Sequence, residues 1–222
     1  MIEAMQKPPT SFDWAIYADA TFAGLSMLIP VPLLDLLFEQ IFRRRMPQAI
    51  ARRRGQRLSP AVLQVLNRWG CSWAPCSLLP FWLLFQLGKR LSKKILYFLS
   101  VKEAVDTLSY YWHRAFLLDY TLQAGHLVNP ASAGLARQAM DEILANPQIS
   151  PLHQLASQVI AQSRHVLQTL WRVVRRGRED ETIAQDKQTM RAAWRDVSAY
   201  LDDVALGYQT TYERLQAASL GD

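Results

Sequence analysis

Between residues 40 and 102 this chain contains no aspartate or glutamate, while the same stretch carries thirteen basic residues: Arg43, Arg44, Arg45, Arg52, Arg53, Arg54, Arg57, Arg68, Lys89, Arg90, Lys93, Lys94 and Lys102. The rest of the chain holds twelve basic residues against nineteen acids, so the overall net charge of +6 conceals a local excess. A run of uniform charge repels itself and calls for a polyanion, whether phospholipid head groups, nucleic acid or an acidic partner. A solvated helix face is the ordinary explanation of a charge run, but such faces mix both signs.

What lies between the basic clusters narrows the choice. Residues 20–42 read ATFAGLSMLIPVPLLDLLFEQIF, and residues 71–88 read CSWAPCSLLPFWLLFQLG with no charge at all. Nucleic-acid grooves interleave Lys and Arg with polar side chains and accessible aromatic platforms. Basic flanks around apolar inserts instead suit a bilayer interface, where each engaged cation contributes up to about 1 kcal/mol. Eighteen helical residues span roughly 27 Å, marginal against a hydrocarbon core of about 30 Å. Pro75 and Pro80 interrupt that run, and basic residues on both its flanks favour the same, cytoplasmic, side. The segment is expected to form a re-entrant or interfacial hairpin, or to be buried in a core.

The first apolar region has the same character. A helical pattern over residues 12–29 meets Pro30-Val31-Pro32 and resumes from Leu33 to about Met46. Pro32 suits helix entry, and Asp35 in the first turn complements the exposed amides. The break Ile29-Pro30-Val31-Pro32, the following Asp35, and Ile50-Ala51 ahead of Gly55 resemble the EcsC-like and DUF697-like helical domains. There an IPIP-type break, an Asp and a later glycine join two apolar helices. The resemblance covers roughly residues 12–120. It implies an α-helical, membrane-associated module, often attached to a GTPase or found beside membrane machinery, with no catalytic residues to carry over. The chain has no G-x-x-x-x-G-K-[ST], so it is not itself the nucleotide-binding partner.

Beyond residue 100 the pattern is plainly helical. Val101, Val105, Leu108, Trp112, Ala115 and Leu122 form a stripe that Asp119 interrupts. Gly125 and Asn129-Pro130 punctuate the chain, a short helix follows over residues 131–145, and Ser150 caps the next with Pro151 at its first position. Leu152, Leu155, Val159, Val166, Leu170 and Val174 mark one face of that helix, and a charged run over residues 172–181 reads as a turn. Met190, Val197, Val204 and Thr211, interleaved with Trp194, Leu201, Tyr208 and Leu215, then give the 3-4 spacing of a coiled-coil seam. The expected fold is an all-α multi-helix bundle, with Pro-broken apolar helical hairpins in the N-terminal half and a long antiparallel helical hairpin at the C-terminus. Two regions are expected: a basic, membrane-facing one over residues 1–128, and the hairpin over residues 129–222.

Chemistry is sparse. His113, His126, His153 and His165 form no H-x-x-x-H pair, Cys71 and Cys76 make no disulfide framework, and neither metal nor cofactor is implied. A buried thiol is the usual occupant of such a segment, with palmitoylation the livelier alternative. Asp106 and His113, two helical turns apart beside Tyr110-Tyr111-Trp112, are the best acid-base candidates, with Asp119 a third. As an enzyme site they would have to converge in one pocket. Residues 1–10 lack a secretory leader's pattern, and two cysteines make a cytoplasmic setting the default.

The expectation is a membrane-associated, non-catalytic helical protein on the cytoplasmic face. It binds anionic lipid through its arginine and lysine clusters and serves as an adaptor to a protein partner, or self-associates through the C-terminal hairpin. Nucleic-acid binding is the alternative, and an enzyme using His113 and Asp106 the second.

Overall fold

The computed structural model describes residues 13–25, 34–68, 93–145, 150–161 and 194–221. Among them every regular element is a helix: α1 (Trp14–Leu25), α2 (Leu34–Arg53), α3 (Pro60–Asn67), α4 (Lys93–Gln123), α5 (Pro130–Leu144), α6 (Pro151–Ala161) and α7 (Ser198–Gly221), the last preceded by a helical turn at residues 194–196. The protein is an all-α bundle, as the patterning requires.

Local chemistry sets most of these boundaries. Ser59 accepts from the Val62 amide and is followed by Pro60, whose missing N–H costs nothing at a helix start. Asn129 and Ser132 exchange side-chain bonds in a capping box ahead of α5. Ser150 Oγ accepts from the His153 amide at 3.1 Å to open α6. Two helices end in Schellman turns built on left-handed glycines, Gly55 at φ 70° and Gly125 at φ 76°. In the first, Gln56 N donates to Ala51 O at 2.8 Å and Gly55 N to Arg52 O at 3.1 Å; in the second, His126 N donates to Thr121 O at 3.1 Å and Gly125 N to Leu122 O at 3.2 Å.

The bundle is organised around α4, whose 31 residues extend roughly 46 Å at helical rise. Helices α1, α2, α5, α6 and α7 all pack on it. Residues 114–122 of α4 are buried without a break, so this part of the helix is enclosed on every side rather than along one stripe. Ile16, Tyr17, Ala20 and Ala23 of α1, Met46, Ile50 and Ala51 of α2, and Trp194, Leu201 and Tyr208 beside and along α7 complete the core. Tyr17 and Trp112 both pack against Trp194, the first tilted and the second edge-on, with ring centroids 4.3 and 6.0 Å away. Trp112 Nε1 donates to Thr21 Oγ1 at 3.0 Å, so the α1–α4 seam carries a satisfied polar contact inside an apolar cluster.

Two expectations need correction. Helix α2 does not stop near Met46 but continues to Arg53 with Pro47 inside it. An interior proline costs about 3 kcal/mol or more, and burial of Met46, Ile50 and Ala51, with Pro47 and Ile50 set against Leu118 and Leu122, offsets it. Helix α4 begins at Lys93, eight residues before Val101, so Lys93 and Lys94 belong to its first turn. Asp119, which interrupts the apolar stripe in sequence, lies within the core with its side chain 1% exposed.

The seam before and along α7 buries Trp194, Val197, Leu201, Val204 and Tyr208, then passes to Tyr212 while Thr211 and Leu215 are half-buried. This face packs on α5 and on α4. Residues 162–193, which hold the turn and most of the first arm of the expected hairpin, lie outside the described residues. So do Pro30, Pro32, Pro75, Pro80, Cys71, Cys76, Lys89 and Arg90, and with them the break of the first apolar segment and the whole of the second. Asp35 falls at the second position of α2. No helix among the described residues is long and apolar enough to cross a membrane.

Candidate functional site

Helix α2 and the turn after it carry the arginines singled out by the acid-free stretch, and the fold divides them into two groups. Arg54 turns inward. Its Nε donates to Asp119 Oδ1 at 2.7 Å and its Nη2 to Asp119 Oδ2 at 2.6 Å, a two-pronged guanidinium–carboxylate pair. Arg53 Nε donates to Asp13 Oδ2 at 2.6 Å, and Arg45 Nη2 lies 3.9 Å from Asp19 Oδ1. Acids from α1, from the residue preceding it and from α4 thus balance three arginines of a stretch that has none of its own. Burial raises Asp19 above the usual carboxylate range, and Arg45 only partly counters it. Burial also pushes the Tyr17 phenol well up, reinforced by the nearby Asp119 charge.

The second group faces solvent. Arg44, Arg52, Arg57 and Arg68 are exposed, and no acid among the described residues pairs with them. Arg52 and Arg57 line one open groove of about 380 Å³ with Gln48, Ala51, Gln56 and Leu58. Gly55 creates that groove. Its left-handed conformation turns the chain after α2, and Arg57 beyond the turn lines the same groove as Arg52. The amides were not singled out from the sequence, although Gln48 and Arg52 stand one helical turn apart on one face. Arg43 is half-buried and lowers the Tyr111 phenol, whose own rise comes first from burial and then from its hydrogen bond to Glu39.

Two later arginines have a structural role. Arg114 Nη2 donates to Leu66 O at 3.2 Å and Arg137 Nη1 to Val65 O at 2.9 Å, so both cations cap the C-terminal carbonyls of α3 and complement its dipole.

The acid-base candidates are held apart by separate partners. Asp106 Oδ1 accepts from His153 Nε2 at 2.8 Å, not from His113. His113 Nδ1 donates to Ser109 O at 2.7 Å, which leaves Nε2 to accept from the Tyr200 hydroxyl at 2.8 Å. Asp119 is engaged by Arg54. The candidate pair of Asp106 and His113 is therefore not formed, because a histidine from α6 and a tyrosine from α7 take the two side chains separately. His126, placed by the Gly125 turn, stacks on Tyr212 with ring centroids 3.8 Å apart and has Nδ1 2.9 Å from Tyr208 Oη.

These imidazoles give the fold a pH dependence. Burial lowers His113 below its ordinary value; the Ser109 carbonyl opposes that shift and His153 reinforces it. Burial lowers His126 too, against Glu213. Between the lowered folded values and an unfolded value of about 6.5, the unfolded chain binds more protons, so stability rises with pH there. This contribution is fully present above the unfolded value and is lost as pH falls through the folded ones. Asp19 has the opposite sign and acts in the carboxylate range, where stability is lost as pH rises through its raised value. The expected result is a thermal midpoint that falls by a few degrees from pH 8 to pH 5.5, at about 2–4 °C per kcal/mol. His113→Gln should flatten part of that slope. An unchanged midpoint in the wild type would remove this assignment.

Comparison with protein-family models, curated proteins and solved structures finds no match to this chain.

Proposed function

We propose that this chain is a non-catalytic helical protein that rests on an anionic membrane surface, using arginines that meet no acid among the described residues, and serves there as an accessory to a membrane-linked partner. The observation that carries this reading is the division among the arginines of α2, its turn and the end of α3: Arg45, Arg53 and Arg54 meet internal acids, whereas Arg44, Arg52, Arg57 and Arg68 are exposed and meet none among the described residues. Cations beside an anionic leaflet contribute up to about 1 kcal/mol each, so four give binding that is measurable and weakens with salt. Basic clusters on both sides of apolar segments favour the cytoplasmic face. The likeness to EcsC-like and DUF697-like domains supports a membrane setting beside a GTPase or similar machinery. Exposed Leu206 and Leu220 on α7 supply apolar contact area for a partner protein.

Flotation with vesicles tests the reading. The full chain is expected to float with anionic but not zwitterionic vesicles at low salt. Changing Arg44, Arg52, Arg57 and Arg68 together to Gln should remove most of that binding and leave the helical circular-dichroism spectrum intact, since none of the four holds an internal ion pair among the described residues. Wild-type binding that survives alkaline carbonate would mean that apolar segments insert as well. Equal flotation of the quadruple variant would sink the proposal. So would retardation of short duplex DNA without any vesicle binding, which would assign the arginines to nucleic acid.

A further inference from the structure

We propose that the groove at the α2–α3 turn binds a phosphomonoester, presented as the head group of an anionic lipid; this rests on the membrane-surface reading above and names the chemistry of its principal contact. Two guanidinium side chains, Arg52 and Arg57, line one groove with two carboxamides, Gln48 and Gln56. Four flexible polar side chains of this kind offer many N–H donors and, in the two arginines, no acceptor. Like charges brought to one groove repel each other unless an anion lies between them. The fold supplies carboxylates to Arg45, Arg53 and Arg54 of the same helix and none, among the described residues, to this pair.

The helix end itself does not oppose an anion as an open C-terminus would. Three of its last four carbonyls are taken: Ile50 O and Ala51 O accept from Arg54 N, both at 3.1 Å, Ala51 O also from Gln56 N at 2.8 Å, and Arg52 O from Gly55 N at 3.1 Å. The same bonds hold the turn in one shape, so the backbone positions from which the two arginines line the groove are fixed by the turn.

A phosphomonoester suits the groove better than a phosphodiester. Its terminal phosphate carries three unesterified oxygens and close to two charges near neutral pH, enough for a guanidinium on each side and an amide between. A diester offers two such oxygens and a single charge. The groove's volume of about 380 Å³ holds a phosphate with its glycerol, and Leu58 gives the esterified side an apolar wall.

The experiment compares flotation of the full chain on phosphatidylcholine vesicles containing either phosphatidic acid or phosphatidylglycerol, adjusted to equal surface potential. Binding to phosphatidic acid is expected to be about tenfold tighter, the scale of one added charge-assisted contact. Arg52→Gln with Arg57→Gln should abolish that excess. The charge-matched pair Arg44→Gln with Arg68→Gln should weaken binding to both lipids alike and keep the excess. Equal binding to the two lipids, or equal loss of the excess in both double variants, overturns the groove as a phosphomonoester site while leaving general electrostatic binding in place. Absence of binding to either vesicle overturns both. Glycerol 3-phosphate and inorganic phosphate separate the sources: thermal stabilisation by these ions that depends on Arg52 and Arg57, without any preference between the vesicles, would assign the groove to a soluble phosphate and overturn the lipid head group.

Discussion

Replacing Arg54 with Met is expected to destabilise the protein by about 3–5 kcal/mol, the range for a buried ion pair that loses one partner. Asp119 is the reason. Its side chain is 1% exposed, while that of Arg54 is 33% exposed, so removing the arginine strands a carboxylate in the core whereas the arginine itself could reach water. The neighbouring phenol of Tyr17 is buried as well. At about 2–4 °C per kcal/mol, the midpoint should fall by roughly 6–20 °C. Two comparisons separate a stranded charge from a generally damaged helix. Arg53→Met breaks a pair whose arginine is 56% exposed and should cost no more than about 1 kcal/mol. Arg54→Met combined with Asp119→Asn should recover a large part of the loss, because the uncompensated charge is gone. Measured by denaturant unfolding, a single variant within 1 kcal/mol of wild type, or a double variant no better than the single one, would contradict this account.

The second large effect is expected at Gly24. A β-carbon added there would stand 2.5 Å from Leu108 Cα and 2.8 Å from Leu108 Cβ, so the obstacle is the backbone of α4 rather than a movable side-chain tip. Gly24→Ala would ordinarily strengthen a helix by about 1 kcal/mol. Here α1 must instead move away from α4, opening a seam that holds Ala20, Ala23, Trp112 and the Trp112–Thr21 hydrogen bond. A net loss of about 1–3 kcal/mol is expected. Gly134→Ala is the control: nothing lies within 4 Å of that position in α5, so the substitution should be neutral or stabilising. Shortening Leu108 to Ala should not rescue Gly24→Ala, since Cα and Cβ remain. Rescue would show that the side chain, not the helix separation, sets the limit.

The Arg54 pair also decides how the arginine cluster can be probed. Neutralising residues 43–45 and 52–54 as a block would confound lipid binding with unfolding, because that block contains the partner of Asp119. Arg44, Arg52, Arg57 and Arg68 can be changed without stranding any described acid, which is why they carry the tests above.

Much of the framework was legible because it depends on neighbours in sequence. Gly55 and Gly125 end helices through bonds reaching five residues back, and the Ser59-Pro60, Asn129-Pro130 and Ser150-Pro151 pairs open them. The buried seam of Trp194, Val197, Leu201, Val204 and Tyr208 follows its 3-4 spacing. Gly24 left a fainter trace, the small residues Ala20 and Gly24 one helical turn apart, a pattern that permits close helix approach. The division of the arginines left none. Adjacent Arg52, Arg53 and Arg54 read alike, yet one lines a groove, one pairs with Asp13 and one is drawn to a buried Asp119.

By itself the sequence determined the helical class, several of the helix ends and the local excess of positive charge, since each follows from backbone capping, periodicity or composition within a few turns. Only the tertiary structure decided that α2 runs through Pro47, that Asp106 meets His153 instead of His113, and which arginines pair with the acids of the described residues. Those outcomes depend on burial and on partners such as Asp13 and Asp119, 40 and 65 residues away from the arginines they bind. Local spacing cannot encode such pairings, because the energy that selects them exists only once the helices have excluded water between them.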